Sequence, residues 1–386
     1  MVIVSNYRIL ALIIIIIYIN SKEKDLRKIN KVSQITLKII GTGKQHILRD
    51  DFSPLPSELY INGNREYSIF PYIDNLNNNE NRIIMKWYND LTDCHHMFFD
   101  HPNITEIDLS QFVTSSIISM AYMFSGLSNI TSLNLTNFDT RSVQAMNGMF
   151  NGCKNLLSLD LNSFDTSLIT DFGVMFNECS SLTYINLNNF RTSNAISMYA
   201  MFGGCNSLES LDLSNFDTSS VKEFGFMFSG CSKITSLNLN NFRTSNVISM
   251  YAMFYNSDSL ESLDLSNFDT SSVENFEWMF CGCSKLTSLN LNHFITSKVT
   301  TMGWMFNGCN SLEYLDISKF DTSAVENFGA MFNGCSKLTS LNINHFITSK
   351  GTSMGSMFSG CNSLESLDLS NFDTSSVTDF GFMFSG

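Results

Sequence analysis

Apolar residues return along this chain with one strict beat. Met-Phe pairs begin at Met97, Met123, Met149, Met175, Met201, Met227, Met253, Met279, Met305, Met331, Met357 and Met383, and every step is 26 residues. With Met as position 1, each unit reads M-F-x-G-C-x-x-L-x-x-L-x-L-x-x-F-x-T-S-x-V-x-x-(M/F)-x-x. A fixed period in this range marks a solenoid, in which each coil buries its apolar side against the next. Residues 97–386 hold eleven full coils and the start of a twelfth. Such regularity leaves little room for an inserted catalytic loop, so no enzyme activity is assigned.

Two elements are expected in each coil. In the coil at 149–174, Leu159 and Leu161 point inward from a short strand. Stacked coils would join these strands into a parallel sheet. Ile169, Phe172, Met175 and Phe176 fall at i, i+3, i+6 and i+7, which predicts a short helix or 3-10 turn on the opposite arc. Thr166 and Ser167 stand where its N-cap belongs, beside Asp165. Gly152 is placed for a left-handed cap. The fold class expected is an α/β solenoid.

A second period of 52 residues overlies the first. Position 12 alternates as Asp108, Asn134, Asp160, Asn186, Asp212, Asn238, Asp264, Asn290, Asp316, Asn342 and Asp368. It lies between the inward leucines and should face out. An unbroken Asp column would repel itself, whereas intervening amides can hydrogen-bond along the stack. At position 17, Asp165, Arg191, Asp217, Arg243 and Asp269 are placed to form a ladder of exposed ion pairs. The face expected to bind presents Asp160, Tyr184, Asn186, Asp212, Asn238, Asp264, Asn290, Tyr314 and Asp316. Tyr199, Phe226, Tyr251, Trp278 and Trp304 either form an exposed aromatic ridge or fill space between neighbouring arcs.

Two further regions precede the coils. Residues 1–21 are an apolar leader whose core, 9–19, suits a signal peptide or a signal anchor. Residues 22–96 do not repeat and should close the first coil's edge. Within them, 34–40 alternates as a strand, Gly41 to Gly43 reads as a turn, and Leu59 to Ile61 reads as a second strand closed by Asn62-Gly63. Residues 75–81 form an Asn-rich loop, and 83–87 should lead into the first coil. At the other end, Leu364, Leu367, Leu369, Phe372 and Val377 face nothing within the sequence, so a further C-terminal cap is expected.

The net charge of −13, with no basic stripe, argues against nucleic acid and anionic lipid as partners. Cys153, Cys179, Cys205, Cys231, Cys283, Cys309, Cys335 and Cys361 share position 5. Their side chains run parallel, so buried thiols are expected rather than disulfides. Cys281, at position 3, should be more exposed. Cys94, His95, His96 and His101 are the only metal-like cluster, but adjacent histidines rarely share a tetrahedral ion, and no metal or cofactor is assigned. Asn103, Asn129 and Asn134 stand in glycosylation sequons, which chance alone explains in so Asn-rich a chain.

The motif M-F-x-x-C-x-x-L-x-x-L-D-L-S-x-F-D-T-S-x-V, as in Met201 to Val221 and Met357 to Val377, resembles the BspA-like leucine-rich-repeat family and the related mycoplasma-type lipoprotein repeat. The resemblance implies a secreted or cell-surface solenoid acting in adhesion to protein or glycan ligands; the leader itself, if not cleaved, would attach the chain to a membrane. It implies no catalytic residues. The alternative is a structural coat or spacer protein without a specific ligand.

Overall fold

The computed structural model describes residues 32–67, 72–76 and 78–385. The apolar leader, with the stretch 9–19 and the signal-peptide or anchor expectation, lies outside the described residues. Strands β1 (Ser33–Ile40), β2 (Gly43–His46), β3 (Glu58–Ile61), β4 (Asn64–Glu66), β5 (Tyr72–Leu76) and β6 (Glu80–Trp87) come before the first coil. Strand β7 (Ile104–Gln111) lies within it. One antiparallel sheet runs β4-β3-β6-β1-β7, and β2 pairs separately with β5.

The alternation in β1 buries Ile35, Leu37 and Ile39. Asn62 and Gly63 both take positive φ, 52° and 88°, which gives the β3–β4 hairpin a turn whose twist matches its strands. Residues 83–87 differ from expectation. They belong to β6, which sits between β3 and β1 in the N-terminal sheet, with Ile83, Met85 and Trp87 buried. The coil junction is made instead by β1, where Leu37 pairs with Ile107 of β7. Ile47, Leu48 and Phe52 add to the same core.

The coils are β-rich and contain no helix among the described residues. The arc expected to be helical is a run of turns. Around Phe150, alternate backbone N–H groups serve two purposes. Gly148, Phe150 and Gly152 donate to Gly173, Met175 and Asn177 of the next coil at 3.0, 3.0 and 2.8 Å. Met149, Asn151 and Cys153 donate three residues back, to Met146, Gly148 and Phe150, at 3.1, 3.0 and 3.1 Å. A helix would need every residue right-handed and every donor turned inward along its own chain. Here position 26 and position 4 are left-handed, as in Val174 (φ 50°) and Gly152 (φ 72°). The apolar spacing mimicked a helical face because both arrangements turn a residue inward every three or four positions. Gly152 has the backbone expected of it, but there is no helix for it to cap.

The L-x-L arc is also not one sheet. Strands β8 (Ser158–Asp160) and β9 (Tyr184–Asn186), β10 (Ser236–Leu237) and β11 (Ser262–Leu263), and β12 (Ser288–Asn290) and β13 (Tyr314–Asp316) pair in parallel as separate twos. The longer ladder lies on the turn arc, where parallel bridges run unbroken from Asp171 to Asp379 at position 23.

Between the arcs runs a spine of phenylalanine rings at position 2. Neighbours stack from Phe98 through Phe228 to Phe384, with the Phe228–Phe254 centroids 5.7 Å apart and 13° between planes. Offset stacking of this kind adds to the burial of each ring. Met and Leu columns fill the space on either side.

Candidate functional site

Three side-chain columns recur through the coils, two joining neighbouring coils and one shaping turns within each, and they set the limits of any functional surface. The first was read from sequence as an N-cap. Thr stands at position 18 in all eleven coils, from Thr114 to Thr374. Thr166 is buried, and its hydroxyl donates to the Arg191 carbonyl at 3.0 Å while accepting the Arg191 N–H at 2.8 Å. The same two-way bond joins Thr192 to Asp217 and Thr218 to Arg243. One hydroxyl thus satisfies a donor and an acceptor where the strands do not pair. Its signal in the sequence was that Ser never replaces Thr there.

The second column is cysteine. All ten cysteines are free, and each position-5 thiol donates to a carbonyl of the preceding coil, as Cys205 does to Phe176 at 3.2 Å. Ser257 takes the one gap in the column and makes the same bond, to Phe228 at 2.9 Å. Burial pushes the Cys153 thiol up to about 12, so it stays protonated and unreactive. Cys281 is more exposed than Cys153 to Cys231 and Cys283 to Cys335, as its position suggested, but only slightly, at 6% against 0–1%. Asn307 of the next coil lies over it, accepting a weak bond from its thiol at 3.8 Å.

The third column is the aspartate and asparagine of positions 12 and 17. Oδ1 of Asp160, Asn186, Asp212, Asn238, Asp264, Asn290 and Asp316 accepts the backbone N–H two residues on, at 2.9 to 3.2 Å. Both residue types make this turn equally well. The expected amide bond along the stack forms at Asn186, whose Nδ2 donates to Asp160 at 3.1 Å. The ion-pair ladder does not form. No two of Asp165, Arg191, Asp217, Arg243 and Asp269 come within 4 Å as an ion pair; the nearby pair that does is Arg141–Asp139, at 2.7 Å. Asp165 instead accepts the Ser167 N–H at 3.0 Å, and Ser167 holds its carboxyl below the usual range, with Arg191 and Arg141 contributing less.

Two surfaces remain outside these columns. On the L-x-L face, Tyr184 and Tyr314 stand 58% and 57% exposed at position 10. At its N-terminal end lies a polar groove of ≈ 710 Å3, lined by Lys38, Arg82, Glu106 and Asp108 among others. Lys38 bridges Glu80 at 3.1 Å and Glu106 at 3.0 Å there. Sequence reading missed this groove because β1 and β7 meet only in the fold.

On the turn arc, the five aromatic residues of the expected ridge are partly exposed and packed on one another. Tyr199 is 41% exposed, and the other four are half-buried. Phe226 meets Tyr199 and Tyr251 edge-on at 5.7 and 5.0 Å, and Trp278 stacks on Trp304 at 5.2 Å. Tyr255, not anticipated, joins them against Trp278 at 5.5 Å. Phe226, Trp278 and Trp304 hold left-handed φ values of 57°, 62° and 56°, a conformation that costs a residue with a Cβ about 1–2 kcal/mol. Ala330 occupies the same site with the same coil-to-coil bond, 2.8 Å to Gly355. The coil therefore does not need the rings.

Of the cysteine and histidine cluster, Cys94 is buried, and its thiol is pushed far up by desolvation. His96 is lowered to about 4, by desolvation first and then by His95 and the Arg49 that contacts it. Among the described residues, no three His, Cys, Asp or Glu side chains are placed to hold a metal ion. Nor is any helix there long and apolar enough to cross a membrane.

A protein-family model matches residues 92–211, 176–289 and 283–386, which together span the whole solenoid. The chain belongs to the family described as Mycoplasma protein of unknown function, DUF285. The DUF285 matches overlap one another, as expected where one 26-residue unit recurs. No curated protein matches the chain. A solved structure, the functional domain of InlJ from Listeria monocytogenes, described as including a cysteine ladder, is similar at 18% identity over 74% of this chain and 69% of that one. Its TM-score is 0.16, too low to support a structural argument.

Proposed function

We propose that this DUF285 solenoid is a binding surface on an exported or cell-surface protein, and that its L-x-L face meets protein or glycan ligands. The resemblance to BspA-like leucine-rich-repeat proteins supports an adhesive role. The observation that carries the reading is the exposure of Tyr184 and Tyr314 at 58% and 57%. Most other coils place serine at that position, as at Ser158, Ser210, Ser236, Ser262 and Ser288. Serine suffices for stacking, so the tyrosines add contact area that a spacer has no use for. Tyrosine is enriched at binding surfaces because it offers a large apolar face and a polar tip.

The test is a capture screen of the chain against arrays of host proteins and glycans, repeated with Tyr184→Ser and Tyr314→Ser together. A ligand retained by the parent and lost by the double variant is the expected outcome. No capture at all would favour the spacer reading, and equal capture by both would overturn the role of the two tyrosines and put the ligand on another surface. Export is tested separately by fusing residues 1–32 to a reporter; a reporter that stays in the cytosol sinks that part.

A further inference from the structure

The turn arc carries rings in five consecutive coils: Tyr199, Phe226, Tyr251, Tyr255, Trp278 and Trp304. They make a strip of two runs, Tyr199–Phe226–Tyr251 and Tyr255–Trp278–Trp304, in each of which every ring lies within 5.7 Å of the next. Neighbouring positions are kept small to make room for them. A Cβ on Gly225 would lie 3.2 Å from the Tyr199 ring. A groove of ≈ 460 Å3 runs beside the strip, lined by Glu178, Asn206, Asn256 and the rings of Tyr199, Phe226 and Tyr255.

The charge of this arc is one-sided. Residues 171–179, 197–205, 223–231, 249–257, 275–283 and 301–309 contain no Lys, Arg or His. They do contain Asp171, Glu178, Glu223 and Glu277. Asp171 and Glu223 are engaged by the N–H groups of Gly173 and Gly225. Glu178 stands exposed in the groove, and Glu277 adjoins Trp278. Lys222 stands next to Glu223, which leaves Glu178 and Glu277 as the carboxylates beside the aromatic faces, an arrangement that complements a cationic partner. Arginine suits the strip better than lysine, because its planar guanidinium stacks on rings and is weakly hydrated.

We infer that this strip docks an arginine-rich segment of a partner protein, with guanidinium groups over Phe226, Trp278 and Trp304 and with Glu178 and Glu277 as counter-charges. The strip lies on the arc opposite the L-x-L face, so the inference does not depend on that face binding anything.

Labelled nona-arginine titrated with the full chain tests it by fluorescence anisotropy, with nona-lysine and cellohexaose as the competing probes. The variant Phe226→Ala/Trp278→Ala/Trp304→Ala removes the rings safely, since Ala200, Ala252 and Ala330 already occupy the same position. Nona-arginine should bind more tightly than nona-lysine and lose affinity on the order of tenfold in the triple variant. Glu178→Gln with Glu277→Gln should weaken it as well, while Tyr184→Ser should leave it unchanged. Intrinsic fluorescence gives a second readout, because Trp87 is buried at 1% and only Trp278 and Trp304 can meet a ligand. Unchanged affinity in the triple variant would overturn the inference and point to non-specific attraction by the net charge. So would equal binding of nona-lysine. A tryptophan response to cellohexaose alone would overturn it in favour of a glycan.

Discussion

The two arcs of each coil stack by different means. On the turn arc the backbone does the joining: Met250, Ala252, Phe254 and Asn256 donate to Asn275, Glu277, Met279 and Cys281 at 3.1, 2.9, 2.9 and 2.7 Å. On the L-x-L arc, the strands of the coils pair only in twos, and threonine and asparagine side chains supply the remaining bonds between coils, as Thr192 does to Asp217 and Asn215 to Asn188. The consequence shows in the residues themselves. Where side chains do the bonding, the same type recurs coil after coil, as with Thr at position 18. Where the backbone suffices, side chains are free to differ, and positions 25 and 26 hold Gly, Ala, Val, Ser, Asn, Glu, Tyr, Phe and Trp. A strip of rings can be added there without disturbing the stack.

Acid should separate the arcs most widely. Ser167, Ser219, Ser271 and Ser323 hold the carboxyls of Asp165, Asp217, Asp269 and Asp321 below their usual range, and Ser214, Ser266 and Ser318 do so for Asp212, Asp264 and Asp316. Each folded pKa is depressed, so its contribution is present above the unfolded value and is lost as pH falls through the folded one. The window therefore lies below about pH 4. Titrating the chain from pH 6 to 2 should lower its thermal midpoint, with amide protection lost at Ser167 and Ser219 before Phe176 and Phe228. Simultaneous loss on both arcs would show that the aspartate turns do not govern the L-x-L side.

Thr218→Val probes the same contrast at one position. The valine keeps the shape but strands both the carbonyl and the N–H of Arg243, now bonded to the hydroxyl at 3.0 and 2.7 Å. Leaving two buried groups unpaired costs about 2–4 kcal/mol. Thr235→Val, at an exposed position, should change stability by less than about 0.5 kcal/mol. Urea denaturation of both variants decides it; equal midpoints would mean that water replaces the hydroxyl.

How far the sequence disclosed this architecture follows from which force each residue reports. The period, the inward Leu, Met and Phe columns and the left-handed glycine all reflect burial or backbone sterics, and both are written in residue type. The helix was misread because the apolar spacing of Ile169, Phe172, Met175 and Phe176 records only which side faces in, not where the N–H groups point. The threonine ladder was misread because a hydroxyl after a strand looks like a cap until its partner, 25 residues away, is known. For the two proposed surfaces, Tyr184, Tyr314 and the five predicted rings were legible as single positions. Tyr255 and the Lys38 groove were not, since position 3 shows no aromatic pattern and β1 reaches β7 only in space.

On the turn arc, glycine substitutions should cost less, and unequally. Gly308→Ala places its Cβ at an ordinary 3.6 Å from Gly282, so only the left-handed backbone (φ 71°) opposes it. That costs about 1–2 kcal/mol. Gly126→Ala adds a 2.8 Å clash with the Asp100 Cα and should cost more. Thermal denaturation ranks the two, and the reverse order would mean that the first coil yields more readily than the middle of the stack.

The smallest effect concerns the alternation at position 12. Asn186 and Asn238 both accept an N–H two residues on, from Asn188 at 3.1 Å and Asn240 at 3.2 Å, and aspartate would keep that bond. They differ along the stack. Asn186 also donates to Asp160 at 3.1 Å, so Asn186→Asp replaces an attraction with a repulsion between like charges. Asn238→Asp adds repulsion from Asp212 and Asp264 alone. Both changes lie on an exposed face and should cost under about 1 kcal/mol each, with Asn186→Asp the larger. Raising the salt to 1 M contracts the screening length to about 3 Å and should remove most of the repulsive part from both. What survives at high salt in Asn186→Asp, and not in Asn238→Asp, is the hydrogen bond to Asp160. Equal residual losses would show that alternation serves charge spacing alone, and that the Asn186–Asp160 bond contributes nothing to the stack.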